Sequence, residues 1–380
     1  MTQTAAIIGT GFMGRVHTEA LRRVGVTVLG ILGSSPEKSR QAAESFAIPH
    51  AYPHVDALAA DPSVQVVHVT TPNKDHFSQC ERLLKAGKHV ICEKPLAMNA
   101  AESAQLVALA AAHPTLVACV NYNLRYYPMI QHCRAMVRAG EIGTILAVRG
   151  AYVQDWLLYP TDWNWRVEAA AGGKLRAVGD IGTHWLDMIS FITGLTVESL
   201  CADMATVHPT RRKPRHTAET FQSAGAQTTD DTRVDTEDWA SVLLRYAGGV
   251  RGAMSTGQIT AGRKNSLSFE ISGSKGALAW HHENPNELWI GRRDTPNEVI
   301  IKDPNLMRPE ARDYANYPGG HAEGYSETFK ELYRAVYRYI AQGDFAAPRP
   351  FPTFADGHQQ MCLCDAILAS HEGHGWVTVG

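Results

Sequence analysis

Short apolar runs alternate with amphipathic stretches along the first third of the chain. Residues 5–8, 26–32, 64–70, 88–92 and 116–121 are short stretches of strand length, rich in apolar and β-branched residues. Between them, helix-like stretches begin at Arg15 and cover 37–46, 55–60, 76–86 and 99–112. Pro36 stands where the second helix would start, and Gly87 where the fourth would end. Strands and helices that alternate with short turns predict a parallel, doubly wound sheet. Ligands bind such sheets at the carboxyl ends of the strands, here 9–14, 33–35, 70–73 and 93–95.

Past Asn121 the pattern changes. A helix is expected over 128–138 and a long strand over 145–155, followed by an irregular aromatic segment with Trp156, Tyr159, Trp163 and Trp165. After a helix over 180–193, strand-like runs recur at 197–206, 239–246, 250–256, 266–272, 277–281, 288–290 and 299–301. Successive strands linked by turns predict a largely antiparallel sheet. Helices over 324–342 and 354–371 close the chain. The expectation is an α/β protein of two domains, 1–122 and 123–380, and 380 residues suit that number.

Composition narrows the function classes. The chain is 44% apolar, 19% charged and carries a net charge of −2, values of an ordinary globular protein. Nothing in that balance points to nucleic acid or an acidic membrane. The basic cluster Arg211, Arg212, Lys213 and Arg215 has no interleaved aromatics and reads as a solvated loop. The longest apolar candidate for a membrane span, 106–120, is broken by His113 and Pro114, and the first four residues have no basic leader character. Seven cysteines without CxxC or CxxH spacing suggest reduced thiols in a cytoplasmic enzyme. Cys362 and Cys364 near His358 lack the second pair that a metal site needs, so no metal is expected.

Three motifs carry chemistry. Gly9, Gly11 and Gly14 have dinucleotide-fingerprint spacing between a strand and a helix. Gly9 permits the tight turn, Gly11 a close backbone approach to a pyrophosphate, and Gly14 close helix–strand packing. The helix that begins at Arg15 presents free backbone N–H groups to the anion, and Gly9, Gly11, Phe12, Met13 and Gly14 of the turn before it are the candidate contacts. Second, Glu93, Lys94 and Pro95 follow the fourth strand, where a lysine can hydrogen-bond a hydroxyl and move its proton. The alternative is a solvated lysine before a helix-starting proline. Third, Asp180 and His184 are four residues apart at a predicted helix start and share a face. They suit an acid–base pair, or else a helix cap and a satisfied core histidine.

With GTGFMG at Gly9, TTPNKDH at Thr70, AGKHVICEKPLA at Ala86, NYNLRYYP at Asn121 and GDIGTHWLD at Gly179, the chain resembles the Gfo/Idh/MocA family of sugar and cyclitol oxidoreductases. The resemblance implies an N-terminal Rossmann domain and a C-terminal α/β domain. The open sheet of that second domain would form a homodimer or homotetramer interface. It also implies a cis Lys94–Pro95 peptide and a catalytic set of Lys94, Asp180 and His184. A sugar hydroxyl would lose its proton to His184 or Lys94 while hydride passes to a nicotinamide, with Asp180 orienting the groups. Thr70, Thr71, Pro72, Asn73, His76, Glu93 and Lys94 would line the cofactor. Arg125, Tyr126, Gln154, Trp156, Trp165, Arg166, His184 and His321 would meet a carbohydrate substrate.

The resemblance implies NAD(P) as the cofactor. Gly33 stands where the family often has the acid that binds the ribose of NAD, and Ser34, Ser35 and Lys38 follow it. Without that carboxylate the balance tilts to NADP, with NAD or dual use still open. Two other readings compete with a sugar or glycoside dehydrogenase. One is a glycosidase that retains and recycles NAD; the other is a non-catalytic NAD(P)/sugar sensor, against which Lys94, Asp180 and His184 argue.

Overall fold

The structure is a computed structural model, and it describes residues 3–215 and 229–380. The chain forms two compact units. One takes the residues up to Asn123 together with Ala170–Gly173 and Phe329–Met361; the other takes Leu124–Ala169, Lys174–Thr328 and Cys362–Gly380.

In the first unit, strands β1 (Thr4–Ile8), β2 (Thr27–Leu32), β3 (His50–Ala51), β4 (Val66–Val69), β5 (His89–Cys92) and β6 (Ala118–Val120) form one sheet in the order β3-β2-β1-β4-β5-β6. Every pairing is parallel. Helices α1 (Phe12–Arg23), α2 (Pro36–Ser45), α3 (Val55–Ala60), α4 (Asn73–Lys85) and α5 (Ala100–Ala112) make the crossovers. The α/β, Rossmann-like expectation holds. Ile8, Val69, Cys92 and Val120 are buried, and fully buried strands are what uninterrupted β-branched runs produce when helices cover both faces. Ser35 caps α2 by accepting from Lys38 N, with Pro36 in the first turn.

The second unit contains α6 (Pro128–Arg138), β7 (Ile145–Val153), the short α7 (Ala169–Gly172, shared between the units), α8 (Thr183–Thr193) and β8 (Val197–Ala205). A hairpin of β9 (Thr210–Pro214) and β10 (Thr229–Arg233) follows, then β11 (Trp239–Tyr246), β12 (Arg251–Gly257), β13 (Ser266–Gly273), β14 (Ala277–His281), β15 (Glu287–Gly291) and β16 (Glu298–Ile301). After α9 (Pro309–Arg312), helices α10 (Tyr325–Gln342) and α11 (Phe354–Gly373) precede β17 (Val377–Thr378). Nine strands form one sheet, β16-β15-β14-β13-β7-β12-β11-β8-β17, antiparallel except for β7 with β12. Along β11 burial alternates: Ala240, Val242, Leu244 and Tyr246 are buried, while Leu243 between them is 52% exposed.

Two expectations need correction. The segment around Arg211 is not a plain solvated loop: β9 and β10 pair as a hairpin there, and Arg211 is fully buried beside Asp238. Arg212, Lys213 and Arg215 are solvated as expected; residues 216–228 lie outside the described residues. The helix expected over 180–193 starts at Thr183. Val178–Gly182 is a π-helical turn, a form that accompanies functional sites.

Candidate active site

Register aligns the carboxyl ends of the parallel strands. Ile8 pairs with Leu32 and with Val69, Val69 with Cys92, and Cys92 with Val120. The next residue of each strand therefore falls in one row: Gly33, Gly9, Thr70, Glu93 and Asn121. The ladder continues into it, with Gly9 N donating to Leu32 O, Thr70 N to Ile8 O, Glu93 N to Val69 O and Asn121 N to Cys92 O. The strand order reverses direction between β1 and β4, where open α/β sheets bind ligands.

The glycine turn fits a dinucleotide. Gly9 has φ +115°, and a Cβ there would lie 2.4 Å from Thr70 Oγ1. A Cβ at Gly14 would lie 2.2 Å from Gly9 O, so α1 packs on the turn only because that atom is missing. Beside Gly11 nothing lies within 4 Å of the Cβ position. Gly11 offers no side-chain cap to α1, and the first turn of that helix has no acidic residue to compete with an anion. Phe12 is 45% exposed and Met13 is half-buried.

The neighbouring loops are braced by hydrogen bonds. Thr70 Oγ1 donates to Ile8 O (2.9 Å), Thr71 Oγ1 to Gln79 Oε1 (2.8 Å) and Asn73 Nδ2 to Gly172 O (2.8 Å). Pro72 caps α4. His76 is fully buried, with Nδ1 2.8 Å from Pro95 O and Nε2 2.9 Å from Thr71 O. It staples the loops after β4 and β5 together. Burial lowers the His76 pKa, and the two carbonyls oppose that. Lys94 is half-buried and the Lys94–Pro95 peptide is cis. At the β2 end Ser34 and Lys38 lie in or near solvent. Gly33 N donates to Ser39 Oγ (2.8 Å), and a Cβ at Gly33 would meet Ser39 N at 2.9 Å.

In the second unit, the π turn presents Asp180. Its Oδ1 accepts from Arg166 Nε (3.1 Å) and its Oδ2 from Gln258 Nε2 (2.8 Å). The Arg166 guanidinium lies over the Trp165 ring, 4.4 Å from its centroid. Four residues on, His184 is buried in α8 with its ring centroid 6.3 Å from that of Tyr152. Tyr152 donates to Asn265 Oδ1 (2.7 Å), which also accepts from Gln154 Nε2 (2.9 Å), and Gln154 Oε1 accepts from Trp156 Nε1 (2.8 Å). Burial raises the Tyr152 hydroxyl well above its ordinary pKa, so it remains a donor.

Family models match both parts of the chain. Residues 4–122 match the oxidoreductase family with an NAD-binding Rossmann fold, and 130–279 match the GFO/IDH/MocA C-terminal domain. A trans-1,2-dihydrobenzene-1,2-diol dehydrogenase of Mus musculus is 30% identical over 74% of this chain and 75% of that protein. The chain belongs to the Gfo/Idh/MocA oxidoreductase family. A levoglucosan dehydrogenase of Pseudarthrobacter phenanthrenivorans is 29% identical over 98% of this chain and 97% of its own length. A solved levoglucosan dehydrogenase in complex with NADH and L-sorbose superposes with a TM-score of 0.89, covering all of both chains at 28% identity.

As a Gfo/Idh/MocA oxidoreductase the chain has an NAD(P)-binding first unit, and no helix among the described residues is long and apolar enough to cross a membrane. Arg166, Trp165 and Asp180 are brought together, and so are Gln154 and Trp156. Arg125 and Tyr126 are buried: Arg125 Nε donates to Asp187 Oδ2 (2.8 Å) and its guanidinium lies 5.0 Å from the Phe191 ring, while Tyr126 packs edge-on to Tyr314. His321 is exposed in a loop whose carbonyls at Tyr317 and His321 accept from buried Lys302 Nζ. Sequence reasoning missed Gln258, Asn265 and Tyr152. Each lies on or beside a strand of the large sheet and joins the site only through long-range pairing. The aromatic segment's anchor was also missed. Arg211 donates to Leu157 O, Tyr159 O and Asp162 O at 2.9–3.2 Å, and to Asp238 Oδ1 at 2.6 Å.

Proposed function

We propose that this protein is an NAD(P)-dependent dehydrogenase that oxidises a hydroxyl of a sugar, anhydrosugar, glycoside or cyclitol. The observation that carries the reading is the row beyond the strand ends: the glycine turn at Gly9 and Glu93, the residue before Lys94, share it. Gly9, Gly11, Phe12, Met13 and Gly14 would hold the pyrophosphate. Thr70, Thr71, Pro72, Asn73, Glu93 and Lys94 would line the nicotinamide half, with His76 bracing that loop. Nicotinamide supplies the hydride-accepting chemistry when bound. Lys94 hydrogen-bonds the reacting hydroxyl, and Lys94 or His184 takes its proton. Asp180, held by Arg166 and Gln258, orients the hydroxyl and the base. Arg125, Tyr126, Gln154, Trp156, Trp165, Arg166, His184 and His321 would shape the carbohydrate site. Levoglucosan and L-sorbose in the related proteins support that substrate class.

A screen of mono-, di- and anhydrosugars and inositols, read by absorbance of the reduced nicotinamide, tests the reaction. Lys94→Ala should abolish turnover and leave NADH binding measurable. A Lys94→Ala variant of near wild-type rate would sink the assignment. Bound cofactor with sugar cleavage and no net NADH would mark a glycosidase instead.

For the cofactor, the residues after β2 tilt the balance to NADP, with NAD or dual use still open. No acid stands at Gly33 directly after β2, the space there is closed to a side chain, and exposed Lys38 suits a 2′-phosphate. The open face of the nine-stranded sheet is the proposed homodimer or homotetramer surface. Leu243, Val299 and Ile301 are more than half exposed there, and Trp289 and Leu243 line a concavity of about 790 Å³. Light scattering reads the assembly size.

A further inference from the structure

Beneath Lys94 a buried chain of polar groups runs back from Glu93, and His17, His68 and Tyr337 in it have no part in the proposed reaction. His17 on α1 and His68 on β4 are both fully buried. His17 Nε2 is 3.0 Å from Glu93 Oε1, and His17 Nδ1 is 3.0 Å from His68 Nδ1. His68 Nε2 is 3.0 Å from the Tyr337 hydroxyl on α10. At the other end, Asn121 Nδ2 donates to Glu93 Oε1 (2.5 Å) and Lys94 N donates to Glu93 Oε2 (3.2 Å). Rings of Phe329 and Tyr333 seal His17 from the α10 side.

Hydrogen-bond logic restricts the protons. Two like Nδ1 atoms at 3.0 Å hold one proton between them, because none leaves two lone pairs facing and two leave two donors facing. Glu93 is ionised: burial would raise its pKa, but hydrogen bonding and charge from His17, then Lys94 and Asn121, bring it below the ordinary value. A carboxylate can only accept. His17 Nε2 therefore carries a hydrogen whichever imidazole holds the shared one. Tyr337, able to donate or accept, completes the chain in either case.

We infer that His17 is a positioning residue for Lys94: its Nε2–H holds the Glu93 carboxylate, and that carboxylate holds the Lys94 backbone amide. This rests on the proposed catalytic role of Lys94. The groups that face the Glu93 carboxyl are His17 from α1, Asn121 after β6 and its own neighbour Lys94, with His76 of α4 and the Cys92 thiol near enough to feel its charge. His68 and Tyr337 stand behind His17. With the His17 donor gone, burial dominates and Glu93 takes up a proton at higher pH.

The test compares wild type, Lys94→Ala, His17→Leu, His17→Gln and Tyr337→Phe, with levoglucosan as the first probe and the best substrate of the screen as the second. His17→Leu should lower kcat by about a hundredfold, the scale of a catalytic group displaced by about 1 Å, with the NADH dissociation constant unchanged. Its acid limb in kcat should move up by about one pH unit. His17→Gln, whose amide also donates, should recover most of the rate. Tyr337→Phe should move the acid limb the same way by less, and it serves if His17→Leu does not fold. An unmoved acid limb in the folded variants, or His17→Gln as impaired as His17→Leu, would overturn the inference while a dead Lys94→Ala leaves the reaction assignment standing. An active Lys94→Ala fails the assignment instead. Imidazole nitrogen NMR judges His17 without turnover: a protonated Nε2 is expected, and an unprotonated one refutes the chain.

Discussion

At the residue scale, missing atoms matter as much as present ones. A Cβ at Gly14 would lie 2.2 Å from Gly9 O, and neither backbone can yield without opening the turn. Overpacking of this kind costs roughly 1–3 kcal/mol. Gly14→Ala should therefore weaken NADH binding by about tenfold or more, the equivalent of about 1.4 kcal/mol, as read by fluorescence titration. Lys38→Ala should raise KM for NADP by about tenfold, the order of one charged hydrogen bond, and leave KM for NAD unchanged. Equal effects on both cofactors would remove the 2′-phosphate from its assigned partner. These glycines were legible in the sequence because spacing alone encodes a turn. The partners of Asp180 were not: Arg166 is fourteen residues away and Gln258 seventy-eight, and neither separation has a local signature.

At the element scale, most strands and helices emerged within a few residues of their predicted ends, since burial period and capping are local. The departures have tertiary causes. The turn 178–182 became π-helical where Glu237, from the strand side, accepts from Arg176 N and Val178 N at 2.8 Å. Burial raises the Glu237 pKa, and those donors and Arg176 work against it. The basic segment at 211 became a strand because Asp238 draws Arg211 and Arg176 inward; all three side chains are fully buried. Asp238→Ala would leave two guanidiniums buried without their carboxylate. That change should cost about 3–5 kcal/mol of stability, read as a lowered denaturant midpoint, and should loosen the aromatic segment that Arg211 pins.

At the scale of the whole molecule, buried histidines set the response to acid. Burial lowers the pKa of His68, with the charge of His17 adding to it, and burial leads in His76 and His282 as well. His89 falls to about 4, through burial first and Arg349 second. In the unfolded chain each titrates near 6.5. The unfolded state then binds more protons below about pH 6.5, so stability falls as pH drops through that window. Glu93 and Asp238, held below the ordinary carboxylate value, add a further loss below about pH 4. Calorimetry should show Tm declining from about pH 6.5 downward. A Tm unchanged to pH 4 would contradict neutral, buried imidazoles.

By itself the sequence determined the alternation of the first sheet, the antiparallel run of the second, the glycine turn and the motifs at Lys94, Asp180 and His184. Each is written in neighbours a few residues apart. Only the tertiary structure decided the common register that sets Gly9, Gly33, Thr70, Glu93 and Asn121 in one row, the brace of His17, His68 and Tyr337 behind Lys94, and the burial of Arg211. Those depend on which strands pair and which charges lose water together. Pairing and desolvation are properties of the folded chain, so no short stretch of residues carries them.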